Sequence, residues 1–192
     1  MRRPSVHPHQ RELRALIACR IAFRRSMLEH WFREKEADAP ALEEKRDALA
    51  WYAKGAGGAD PFSSHVLQAP IGKLDQGLFL LAHYRIETAI SIAWALGLAE
   101  VIPPIEERAS LELLDRLLPL RGMPQIRDAK LRDRAQLELA LGEWRARTVE
   151  ASLRRSEGSD ANVQFSRAFE RARGLAYVCG AAAWLDDVEI AV

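Results

Sequence analysis

The stretch His83–Leu98, HYRIETAISIAWALGL, constrains this chain more than any other. After Glu87 it carries no charge until Glu100, and a helix that is apolar nearly all round belongs inside a protein. Its uncharged part falls well short of the roughly 20 residues needed to cross a bilayer. It therefore reads as a buried central helix, starting near Asp75 and ending at Gly97 or Leu98. A chain of 192 residues can enclose such a helix in one domain.

A second segment has the same character. From Asn162 to Trp184, Phe165, Phe169, Ala172, Ala176, Cys179 and Ala183 recur on one side. From Gly174 onward Leu175, Val178 and Ala182 cover the other side, and small residues permit close packing. Asp160 is placed to cap this helix. The remaining helices read as amphipathic. Residues 10–37 carry a stripe of Leu13, Ile17, Ile21, Leu28 and Trp31, with arginines on the rest of the surface. A helix from Pro40 to Lys54 turns Leu42, Leu49 and Tyr52 inward. Another is expected over 106–118 with Leu111, Leu114 and Leu118 on one face. A longer one over 125–156 points Leu131, Ala135, Leu141, Trp144 and Thr148 inward, with Gly142 weakening its middle. The glycine-rich segment 55–64 and SEGSD at 156–160 read as surface loops, His65–Ala69 as a single turn, and residues 1–9 as a loose tail. No alternating run supports a strand. The expectation is one all-α domain over 1–192, a multi-helix bundle of about six to seven helices around two largely buried apolar ones.

Chemistry is sparse. The net charge is +1, so no global field points to nucleic acid. Residues 1–35, however, hold nine arginines and lysines against three glutamates. Arg11, Arg14, Arg24 and Arg25 could contact a partner, or pack against the more acidic remainder. The basic helix lacks a helix-turn-helix context, and the five tryptophans fall mostly at core positions, so a weak nucleic-acid role ranks last. Two cysteines, Cys19 and Cys179, do not make a disulfide framework. No leader-like apolar run follows the N-terminus and no membrane span is expected, which makes cytoplasm the default. Phosphate-binding, dinucleotide, nucleophile-elbow and paired-cysteine motifs are absent from the sequence, and no cofactor is expected.

Two constellations remain. His83 and Glu87, four residues apart, share one helical face and are the best candidate metal ligands, but no Glu-x-x-His partner exists elsewhere. Asp186 and Asp187, with Glu170 and Glu87, are the candidate acid–base carboxylates. Negative charge at a helix C-terminus calls for a cation. Arg85, Arg171 and Arg173 are at hand, so the favoured reading is an ionic network of Arg85, Glu87, Glu170, Arg171, Arg173, Asp186 and Asp187.

Several segments together resemble a widespread bacterial family known only as a domain of unknown function, of the DUF 4272 type. They are the ETAISIAWALGLAEVIPP stretch at 87–104, the leucine-rich segment after it, the stretch ending at Trp144, and FERARGLAYVCGAAAWLDDV at 169–188. The resemblance runs from Pro61 to Val188. It rests on Glu87, on Trp94, Ala95, Leu96 and Gly97, on Glu170 and Arg171, and on Trp184, Asp186 and Asp187. Leu185 separates Trp184 from the aspartates, and VEIAV closes the chain where relatives usually continue with Asp and Thr. The resemblance implies a helical fold and no particular activity. The leading functional expectation is a non-enzymatic protein that binds another protein, in an accessory or immunity-type role, or that self-associates. A metal-dependent or acid–base enzyme built on the helix carboxylates is the competing class. How Glu87 is satisfied decides between them.

Overall fold

In the computed structural model, residues 9–35, 38–55, 60–112, 115, 129–183 and 185–191 are described. Among them the fold is all-helical, with six α-helices: α1 (Gln10–Lys35), α2 (Ala39–Gly55), α3 (Pro61–Gln68), α4 (Gln76–Ala95), α5 (Arg134–Leu153) and α6 (Ser159–Val178). Leu111, Glu112 and Asp115 are helical as well.

The central helix is as buried as its composition demands. From Arg85 to Ala93 every residue of α4 is buried. Asp75 starts it by accepting the Gly77 and Leu78 N–H groups. Gly97, at φ 67°, ends it: the Leu98 N–H reaches the Ala93 carbonyl and the Gly97 N–H that of Trp94, a glycine-terminated Schellman arrangement. The carbonyls then left over at Ala95 and Leu96 accept the Arg132 and Lys130 N–H groups. α6 packs directly along α4. A Cβ at Gly174 would lie 2.9 Å from the Thr88 carbonyl oxygen, so the two backbones meet at a point that admits only hydrogen.

α1 departs from expectation. Rather than lying outside with one wet face, its segment from Ala15 to Phe23 is buried on all sides, Arg20 included, because α2, α3 and α4 all pack against it. The core therefore has three central helices where two were expected. α5 closes the other flank of α6 through Leu137, Ala140, Leu141, Trp144, Thr148 and Ala151. It begins at Arg134, Gly142 does not break it, and Ala135 is exposed.

Other boundaries shift for identifiable reasons. Residues 61–64, expected in a loop, begin α3: Asp60 accepts the Ser63 N–H at 2.6 Å and Pro61 takes the first turn, an N-cap followed by N1 proline. Residues 106–110 are not helical. Leu114 and Leu118, Trp184, residues 56–59 and 125–128, and all of the tail except His9 lie outside the described residues. α6 starts at Ser159, so Asp160 sits in its first turn rather than capping it, and it stops at Val178. Ser156 and Glu157 belong to a short 3-10 turn. Leu185–Asp187 forms another.

Candidate functional site

Glu87 is 1% exposed and held from three directions. Its Oε2 accepts from Arg171 Nε at 2.9 Å and Nη2 at 2.7 Å. Its Oε1 accepts the Ala109 N–H at 3.1 Å, and Arg167 Nε stands 4.0 Å away. The rest of the Arg171 guanidinium donates to the carbonyls of Pro103 at 2.6 Å, Pro104 at 3.0 Å and Glu107 at 2.6 Å. These bonds engage all five of its N–H donors. Trp144 covers it, ring centroid 4.9 Å from the guanidinium carbon. Burial pulls the Arg171 pKa down, and Glu87 opposes that pull. Pro103–Pro104 thus supply two carbonyls to the pair besides halting helical structure.

A neighbouring cluster holds the other acidic candidates. Glu170 accepts from Thr88 Oγ1 at 2.6 Å and from Arg173 Nη1 at 2.8 Å, with Arg85 Nη1 at 3.9 Å. Arg85 donates to Asp186 in a short bond and lies over the Phe62 ring at 4.6 Å. Burial would lower the Arg85 pKa, but Glu170 and the other acidic neighbours raise it on balance. Burial pushes the Asp186 carboxyl up, against the pull of Arg85. Asp187 is exposed and joins no ion pair among the described residues. Six of the seven residues expected in one ionic network therefore sit in two adjacent clusters, and Asp187 stands apart from both.

His83 and Glu87 do not act together. Arg108 Nη2 lies 2.9 Å from His83 Nε2. An arginine can only donate, so Nε2 is the acceptor and the proton sits on Nδ1, 3.4 Å from Ser26 Oγ. Phe79 stacks on the imidazole at 5.6 Å and Phe23 tilts against it at 5.6 Å. Burial first, then Arg108, lowers its pKa to about 4. The ring is neutral, with its lone pair already engaged. Among the described residues no three His, Cys, Asp or Glu side chains are grouped to hold a metal ion.

Three of the four arginines expected to meet a partner are used internally. Arg11 donates to the Tyr177 and Ala182 carbonyls at 2.6 and 3.0 Å. Arg25 is fully buried, donating to Glu29 at 3.1 Å and to the Ala69 and Pro70 carbonyls at 3.0 Å. Arg24 and Arg20 share Asp115. Arg14 is exposed, and Arg11 remains exposed despite its two carbonyl contacts. Glu29, 0% exposed, was not anticipated. It also accepts from Arg33 at 3.2 Å and from the Gly72 N–H at 3.0 Å. The spacing Arg25, Glu29, Arg33 carries the signal, since residues four apart on a helix are neighbours.

What remains open is a groove of about 590 Å³ between α1 and α2. Met27, Trp31, Leu49, Trp51 and Tyr52 form its walls, with Arg24 and Lys45 among them. Trp51 is 78% exposed, and Lys45 Nζ stands 5.7 Å from the Trp31 ring centroid. A second cleft, of about 520 Å³, separates Trp94 from Trp144. Arg132 and Arg147 lie against those two rings. Both cysteines are free, and no helix among the described residues is long and apolar enough to cross a membrane. The chain matches no family model, no curated protein and no solved structure.

Proposed function

We propose that the chain acts by binding another protein, in an accessory or immunity-type role, and that the α1–α2 groove is the contact site. The observation that carries this reading is the groove itself. Its size is that of a ligand-binding cleft, its walls hold two tryptophans and a tyrosine, and Trp51 stands in water. Tryptophan, tyrosine and arginine are the residues that dominate binding energy at protein interfaces. The outer face of α5 also exposes Leu139, Val149 and Leu153, but it is convex and aliphatic.

The enzyme alternative loses support from the same geometry. An acid–base pair needs a carboxylate free to gain and lose a proton beside a substrate. Glu87 and Glu170 are instead buried against arginines and Asp186 is paired with one, which leaves exposed Asp187 as the one candidate carboxylate outside an ion pair among the described residues. A metal centre would have to displace Arg171 from Glu87 and Arg108 from His83. A nucleic-acid role is weakened because Arg11, Arg24 and Arg25 are all engaged in contacts within the fold.

The test is a photo-crosslinking residue placed at position 51 in the native cell, with one at position 157 on an exposed turn as control. One protein captured in stoichiometric yield from position 51, and not from 157, is the expected result. A purified protein that carries a bound metal and no partner would overturn the reading.

A further inference from the structure

We infer that the occupant of the α1–α2 groove is an amphipathic helix whose apolar face is edged by acidic side chains. The inference rests on the protein-binding reading and specifies the partner's chemistry. Among the described residues, the charged side chains lining the groove are Arg24 and Lys45, both cationic. Among the described residues, Arg20 and Arg24 share the single carboxylate of Asp115, two cations to one anion. Arg24 remains 27% exposed at its side chain. Of the acidic groups of α2, Glu43 accepts the Ile71 N–H at 2.8 Å and pairs with Arg46, Asp47 pairs with Arg46, and Glu44 is exposed to solvent and does not line the groove.

The groove's form favours a helix. Two helices joined through residues 36–38 make its walls, and an apolar face laid between them completes a three-helix contact of the helix-in-groove kind. Met27 supplies a side chain that can adapt to a partner's surface. A cationic edge beside aromatic walls then selects acidic flanks, which speed encounter and reject basic ones.

A displayed library of short amphipathic helices with randomised flanking charges, selected against the whole protein, tests this. Glu and Asp should be enriched at the flanks, Trp51→Ala should abolish selection, and Lys45→Glu should weaken the selected helices by about tenfold and erase the acidic preference. Enriched helices with neutral or basic flanks would overturn this inference and leave the protein-binding reading standing. No helix enriched on the native protein over Trp51→Ala would overturn both. Sedimentation showing self-association that Trp51→Ala removes would make a second copy the occupant, which also overturns the acidic-helix assignment.

Discussion

The α4–α6 contact and the α1–α2 groove assign their side chains in opposite ways. At the first, four charged residues, Arg85, Glu87, Glu170 and Arg171, are buried, with Arg173 half-buried beside them. At the second, tryptophan and tyrosine face a groove open to solvent. The buried charges are tolerated because each finds a counter-ion or a carbonyl. Removing one partner from such a pair leaves a charge in low dielectric, which is far more costly than exposing an apolar ring. Exposed aromatic surface costs little in the isolated chain and becomes useful only when something covers it. One region thus secures the fold, and the other is free to serve binding.

The comparison can be broken most directly at Glu87. Replacing it by Gln keeps the shape but leaves Arg171 charged and unpaired, so Glu87→Gln should destabilise by about 3–5 kcal/mol in urea denaturation. A loss under 1 kcal/mol would mean that the pair does not hold the α4–α6 contact. Next comes His83, which lies where α4 meets α1. Its folded-state pKa is lowered to about 4 from 6.5, so the unfolded chain takes up the proton first. This contribution is therefore complete above pH 6.5 and declines as pH falls toward 4. His83→Gln should flatten that decline, the difference from the native protein reaching on the order of 1–2 kcal/mol at pH 5. Identical pH dependence in both proteins would remove histidine from the account. Trp51→Ala should change stability by no more than about 0.5 kcal/mol, as exposed substitutions usually do. A large loss in thermal unfolding would show the ring to be part of the core, and the contrast would fail.

Much of this was legible in the sequence. The unbroken apolar run after Glu87 fixed α4 as interior, and the small residues from Gly174 onward marked α6 as its close neighbour. An arginine partner for Glu87 could be expected because a buried carboxylate requires one, but which of Arg85, Arg171 and Arg173 supplies it was not legible. The interior of α1 was less legible. Its arginines read as a wet face, yet a long helix can bury guanidinium groups when neighbouring loops offer carbonyls, as Ala69 and Pro70 do for Arg25. Those acceptors come from forty or more residues away, and no local pattern announces them. Asp60–Pro61 did carry a helix-start signal, but the glycines before it drew the loop too far. The groove was not legible either. Leu49 and Tyr52 read as inward, but whether anything covers Trp51 depends on how far α2 stands from the rest of the bundle.

The five bonds of Arg171 tie together parts of the chain that are distant in sequence: Glu87 on α4, the carbonyls of the 103–107 segment and, through Trp144, α5. None of these can open alone without stranding a cation. Local fluctuation there is coupled to global unfolding, so amide protons along α4, α6 and Ala109 should share one slow exchange class. α2, which packs chiefly on α1 and α3, takes no part in these bonds and is free to fray by itself.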